Sequence, residues 1–348
     1  MKNNRLLYVL IIILTIWCIV LTSLLTNKQD NSSTEVVNEY NISGFSTDFT
    51  KVVDEQKDSI VTISCSGNTA TGFVYKQVDN TIYILTAYHA VSDSNAINVN
   101  FINSFSCSAE LVGQSIYADI AVLKITSPYT VEPLELGDST LLSSGEFIIC
   151  IGTPSSIDYE SSVELGMVSN DARCIANSIT VDDTVNNYYL DVIQLSANLR
   201  PGYSGSPVLN MEGEVVGVNT MSLDSKFNFA ITSNEVSIIA DKIINGEKIN
   251  KYQLGIKETY VNKMPLFERS SLNLPVDVLS GLYVNNVIES SIAQSAGIKV
   301  GDVITSINGT KIENLNDYLN AVYVKTDAFE FEIIRNGEVS TLRVDLNA

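Results

Sequence analysis

Between about Lys51 and Met221, short runs of β-branched and aromatic residues recur between turn signals: SIVTISC, TGFVY, TIYILTA, INVNF, IAVLKI, FIICIG, DVIQL, PVLN and EVVGV. Runs this short and this regularly punctuated make strands joined by turns, and they leave no room for the crossover helices of a parallel sheet. The rhythm predicts a mainly β unit closed into an antiparallel barrel or sandwich. The first amphipathic helix comes at Val236 to Asn245 (VSIIADKIIN), with Ile238, Ile239 and Ile243 at helical spacing and Gly246 as its stop.

A second unit is expected over residues 251–348. Its short strands (GLYVNNV, DVITSING, FEFEIIRNG, STLRVDL) surround two helices, SSIAQSAG and NLNDYLNAVY, which suits a small α+β module. Upstream of the β unit, residues 27–50 are polar and read as a tether. Before the tether, Leu6 to Leu25 is an uncharged run of 20 residues, about one bilayer span at 1.5 Å per residue, preceded by Lys2 and Arg5. Its length and the lack of an A-x-A-like cleavage site favour a retained transmembrane helix over a cleaved signal peptide. The positive-inside rule then places the N-terminus in the cytoplasm and the remainder outside the cell membrane, a single-pass arrangement. The expected divisions are a tip and anchor at 1–26, a linker at 27–50, a β domain at 51–248 and the α+β module at 251–348.

Composition removes one class of partner. With 40 acidic against 21 basic residues the formal net charge is −19, so the surface repels nucleic acid. Of five cysteines, Cys18 lies in the hydrophobic run; Cys65, Cys107, Cys150 and Cys174 allow three complete pairings or four free thiols. They lack CxxC spacing, and neither a metal nor another cofactor is implied.

Chemistry concentrates in three places. His89, the one histidine, ends the apolar strand of TIYILTAYHAV; Asp119 heads the strand of YADIAVLKI; Ser204 lies in the small-residue turn RPGYSGSP. Each has an ordinary structural explanation by itself. Together, in the order His, Asp, Ser within one all-β unit, they suit an imidazole that takes a proton from serine while a carboxylate orients it. Gly202 permits a turn that exposes the hydroxyl and aims backbone N–H groups into a common pocket.

The motifs TAYHAV, ADIAVLKI, LELGDST, GEFIICIGTP, ELGMVS, GEVVGVNT and NFAITSN resemble the HtrA/Deg family of trypsin-like serine proteases with a C-terminal PDZ domain, from about Asp58 to the end. The resemblance implies a chymotrypsin/trypsin-like double β-barrel followed by an α+β PDZ domain. It implies His89 as base, Asp119 as its orienter, Ser204 as nucleophile, and the N–H groups of Gly202 and Ser204 as an oxyanion hole. Asn198, Phe227, Asn228 and Phe229 would form the substrate pocket, with a neutral Asn198 where enzymes cutting after Lys or Arg carry Asp. Arg200, Tyr203 and Ser206 depart from the family's Asn and PGNSGGP pattern; Tyr203 is expected over the rim of the site.

YQLGI resembles the carboxylate-binding loop of PDZ domains, which makes Leu254, Gly255 and Ile256 candidates for capturing peptide C-termini, and SSIAQSAGIKVGDVITSINGTKI resembles the PDZ body. The expected partners are unfolded polypeptides and protein C-termini, with a homotrimer by analogy. The function implied is protein quality control by cleavage of unfolded or damaged exported proteins. Two rivals stay open: a protease fold used as a chaperone or peptide-sensing binding module, and a signalling protease of narrow specificity.

Overall fold

A computed structural model describes residues 13–22, 49–92, 94, 96–181, 183–223, 227–275 and 278–347. Residues 13–22 form a helix, α1. Among the described residues no helix is long and apolar enough to cross a membrane. The expected span at 6–25 lies in part, and the tether at 27–50 almost wholly, outside the described residues.

After α2 (Phe49–Gln56), twelve strands form two closed barrels. The first runs β1 (Ile60–Cys65), β2 (Asn68–Val78), β3 (Thr81–Ala87), β6 (Ile120–Thr126), β5 (Ser106–Ser115) and β4 (Ile97–Phe101) around its circumference. The second runs β10 (Pro207–Leu209), β11 (Val215–Leu223), β12 (Phe227–Thr232), β9 (Thr184–Leu195), β8 (Ser162–Val181) and β7 (Phe147–Gly152). Strand alternation explains why so many runs are apolar throughout. Val74, Ile84, Ala121 and Leu123 fill the first barrel, whereas their neighbours Phe73, Leu85, Ile120 and Val122 join a separate cluster with Ile149 and Ile151 of the second. Both faces of these strands are therefore buried, and the two barrels share a core.

Helix α3 (Ser233–Ile244) begins three residues before the expected start. It buries Val236, Ile239, Ala240 and Ile243, and fully burying a Val or Ile side chain contributes about 1.5–3 kcal/mol. Gly113 of β5 lets it come close, since a Cβ there would lie 2.9 Å from Ile243.

The C-terminal module is a sheet in the order β13 (Ile256–Tyr260), β14 (Leu282–Val287), β15 (Val303–Ile307), β17 (Ala328–Arg335), β18 (Glu338–Asp345), with β16 (Thr310–Lys311) beside β15. Three helices accompany it: α4 (Leu266–Ser270), α5 (Ile292–Ala296) and α6 (Leu315–Val322). A capping box between Asn314 and Asp317 starts α6, and Gly297 in the left-handed conformation ends α5.

The module packs on the second barrel through β13 and β8. At this seam Lys251 pairs with buried Glu235, Asn286 donates to the Tyr189 hydroxyl at 2.7 Å, and Lys263 pairs with Asp171. Asp191 and Glu258 also meet there. Burial, opposed by Lys251 and reinforced by Glu235, pushes Asp191 up to about 6. Burial and then the Asp191 charge push Glu258 well above the usual carboxylate range.

Candidate active site

His89 sits in a single 3-10 turn (Tyr88–Ala90) immediately after β3, and Asp119 immediately before β6. These strands are paired, Ala87 opposite Ile120, so the ladder itself brings the two residues together across 30 positions of sequence. Asp119 takes a positive φ of 55°, a conformation that Asp tolerates better than most residues. The Tyr88 N–H bonds to the Asp119 carbonyl at 2.9 Å, and the His89 N–H to Asp119 Oδ1 at 2.8 Å. Asp119 Oδ2 lies 2.7 Å from His89 Nδ1 and accepts the Thr220 hydroxyl from the second barrel. On the other side of the ring, His89 Nε2 lies 2.9 Å from Ser204 Oγ. The hydrogen bond to Asp119 raises the His89 pKa; burial opposes it and the carboxylate charge adds to it.

The loop carrying Ser204 is held by its carbonyls. Pro201 O accepts the Ser155 N–H at 2.9 Å, Tyr203 O the Ser206 N–H at 2.9 Å and Ser204 O the Thr71 N–H at 3.0 Å; Gly202 O accepts the Thr71 hydroxyl at 2.7 Å. In a trans peptide the N–H points opposite the preceding carbonyl. The N–H groups of Gly202 and Ser204 therefore face away from Ser155 and Ser206, and neither has an acceptor among the described residues. Gly202 (φ 103°) and Gly205 (φ 83°) are required for this path: a Cβ would lie 2.2 Å from Thr153 O at the first and 2.3 Å from Thr71 O at the second.

The three departures at the turn have separate fates. Arg200 is exposed and 3.7 Å from Glu164. Tyr203 does not stand over the rim: it is 2% exposed, its ring lies against Gly152, and its hydroxyl donates to Ser162 O. Ser206 is fully buried, and its hydroxyl accepts Asn219 Nδ2 at 2.7 Å.

A cavity of about 550 Å³ opens beside His89 and Ser204, lined also by Asn198, Asn228 and Phe229. Asn228 donates to Ala197 O at 2.6 Å, which fixes that wall. Phe227 lies outside the cavity and is 45% exposed. Sequence reasoning did not single out Thr71 and Thr220; each is an ordinary strand threonine until barrel packing sets it against the loop or the carboxylate.

In the C-terminal module, Gly255 has φ 79°, and a Cβ there would lie 2.3 Å from Ser291. Leu254 O accepts the Ala293 N–H and Gly255 O the Ile288 N–H. By the same peptide geometry, the N–H groups of Gly255 and Ile256 turn away from those donors. Leu254 and Ile256 are buried, and β13 ends its sheet with one edge unpaired within it.

Two closed six-stranded barrels with serine, imidazole and carboxylate chained between them define the class of trypsin-like serine peptidases. The family profile for a trypsin-like peptidase domain matches residues 70–218, and that for a PDZ domain matches residues 253–346. The serine protease Do-like HtrA of Lactobacillus helveticus is 33% identical over 286 residues, covering 79% of this chain and 68% of that protein. Do-like HtrB of Bacillus subtilis is 31% identical over 285 residues, covering 79% and 61%. This chain thus belongs to the Do-like HtrA family of serine proteases, and it spans 61–68% of the length of these two relatives. Among solved structures, the HtrA-type protease AlgW with a tripeptide gives a TM-score of 0.58 at 22% identity, over 85% of this chain and 95% of that one. The serine endoprotease from Yersinia pestis gives 0.52 at 23%, over 85% and 96%. These two likenesses concern the fold alone.

Proposed function

We propose that this chain is a membrane-anchored, extracytoplasmic serine endopeptidase that cleaves unfolded or damaged exported proteins. The observation that carries the reading is the unbroken contact chain from Ser204 Oγ to His89 Nε2 at 2.9 Å and from His89 Nδ1 to Asp119 Oδ2 at 2.7 Å. In this reading Ser204 attacks the scissile carbonyl, its proton passes to His89 Nε2, and Asp119 stabilises the imidazolium that forms. His89 then gives the proton to the leaving amine, and a water repeats the sequence to release the acyl group. The Gly202 and Ser204 N–H groups hold the oxyanion, each donor contributing about 3 kcal/mol to the barrier reduction. The cavity carries the neutral Asn198 and Phe229, no carboxylate and the cationic Arg200 in its described lining, which favours an apolar or small P1 side chain over Lys or Arg.

The PDZ module would capture peptide C-termini at the Leu254–Ile256 loop, with the peptide adding along β13. The uncharged run at 6–25 would hold the protease at the outer face of the membrane, and a homotrimer would follow the family. The test compares the full-length chain with Ser204→Ala for cleavage of an unfolded protein and for labelling by a fluorophosphonate. Both signals should vanish in the variant. Binding of unfolded protein by the wild type with neither cleavage nor labelling would make this a binding module instead.

A further inference from the structure

Strand pairing gathers a thiol and two carboxyl groups at the seam between the second barrel and the PDZ module. Cys174 and Asp191 are opposed in the β8–β9 ladder, so their side chains leave one face of that hairpin. Glu258 and Tyr260 are two apart on β13 and share a face of that strand, which packs against β8. One donor atom from each of Cys174, Asp191 and Glu258 lies within 4.8 Å of the others, and Cys174 Sγ is 3.4 Å from Glu258 Oε2. A thiolate sulfur and a carboxylate oxygen on one tetrahedral ion would be separated by about 3.6 Å.

Charge and hydrogen bonding both leave room for a cation. The Lys251 ammonium is engaged by Glu235, which also accepts the Tyr323 hydroxyl at 2.6 Å. Lys263 is engaged by Asp171, and Arg173 by Gln194. Asp191 and Glu258 are at least nine-tenths buried and face one another; among the described residues no cation is ion-paired to either, and Lys251 reaches them only through its field. Such a pair is costly to bury unless protons or a metal neutralise it. The Tyr260 hydroxyl is a second, independent sign. It is 7% exposed, lines one cavity with Cys174 and Glu258, and has no hydrogen-bond partner among the described residues.

We propose that Cys174, Asp191 and Glu258 bind a divalent cation of the zinc class, with the Tyr260 hydroxyl facing the fourth position. The mixed sulfur and oxygen donor set suits a borderline ion, whereas magnesium and calcium take oxygen donors alone. On binding, the Cys174 S–H proton and the protons held by the Asp191 and Glu258 carboxyls leave to solvent, and the sulfur and carboxylate oxygens donate their pairs to the metal with no change of oxidation state. Because two donors belong to the protease hairpin and one to β13, the ion clamps the strand that follows the Leu254–Ile256 loop onto the protease. Nothing in the cysteine spacing announces this site; tertiary pairing assembles it.

The full-length protein, purified on a tag without histidine, is stripped of metal and titrated with Co²⁺ and Zn²⁺. The expected result is one Zn²⁺ retained per chain after dialysis and a thiolate-to-cobalt charge-transfer band in the near ultraviolet. Both are lost in Cys174→Ser and kept in Cys107→Ser of the first barrel. In Glu258→Gln, Zn²⁺ affinity falls by at least about tenfold. Absence of the cobalt band in wild type, or its survival in Cys174→Ser, overturns the proposal and leaves the three groups neutralised by protons. The wild-type spectrum decides the matter even where a variant fails to fold.

Discussion

Thr71 donates its hydroxyl to the carbonyl of Gly202 at 2.7 Å, so a strand of the first barrel anchors the loop that carries Ser204. The same oxygen accepts the Thr153 N–H at 2.9 Å. Thr71→Val keeps the shape and removes both bonds, leaving two buried groups unpaired at about 1–3 kcal/mol each. We expect kcat to fall by at least about tenfold while KM changes little, with recovery in Thr71→Ser. Steady-state kinetics on a peptide substrate read this directly; an unchanged kcat would remove Thr71 from any role in positioning the loop.

Ser206 and Asn219 form a second buried pair. Replacing Ser206 by Ala strands the Asn219 amide donor, and we expect a loss of about 1–3 kcal/mol in urea unfolding. Equal stability of wild type and Ser206→Ala would mean that Asn219 finds another acceptor.

The bond to Asp119 raises the pKa of His89. A general base must be neutral, so kcat/KM should climb along an acid limb centred above the ordinary value of about 6.5. Stability runs in the opposite sense. A raised folded-state pKa stabilises fully below about 6.5, and that contribution is lost as pH rises through the folded value. Asp119→Asn should lower kcat by about 10⁴ and return the limb toward its unperturbed position. A limb that stays in place in this variant would rule out Asp119 as the cause.

Two glycines of similar positive φ separate backbone strain from crowding. Gly67 (φ 82°) has open space where a Cβ would be, whereas at Gly205 (φ 83°) the Cβ would collide with Thr71 O and Thr86 Oγ1 at 2.3 Å. Gly67→Ala should cost about 1 kcal/mol and Gly205→Ala clearly more, with loss of fluorophosphonate labelling. Chemical denaturation of the two variants side by side tests the difference.

Cys65, Cys107, Cys150 and Cys174 are free, so none of the three pairings is formed. Reductant should leave the melting temperature of the metal-free protein unchanged. Burial pushes Cys150 up to about 12 and raises Cys107 and Cys174 as well. Native thiol labelling should be slow at the partly buried Cys107 and blocked at Cys65, Cys150 and Cys174 until unfolding. Fast native labelling of Cys150 would contradict its burial.

What the sequence determined by itself is local and chemical. β3 and β4 occupy the runs TIYILTA and INVNF that period and composition mark: β3 buries residues of both faces, β4 alternates buried Ile97, Val99 and Phe101 with Asn98 and Asn100, and turn residues bracket them. His89, Asp119 and Ser204 could be singled out because few side chains at neutral pH do their chemistry, and Gly202 because a positive φ tolerates little else. β5 and most of β8 escaped notice: β5 is half exposed and mixes Ser, Glu and Gln with its apolar residues, and β8 does the same over 20 residues.

Only tertiary structure decided which residues meet. Barrel closure sets Thr220 on Asp119, Thr71 on Gly202 and Tyr203 beneath the loop instead of over it. The seam between β9 and β13 sets Glu258 beside Asp191 and Cys174. Those contacts depend on strand register and on how one closed sheet packs against the next, and neither is carried by the local period of hydrophobic residues.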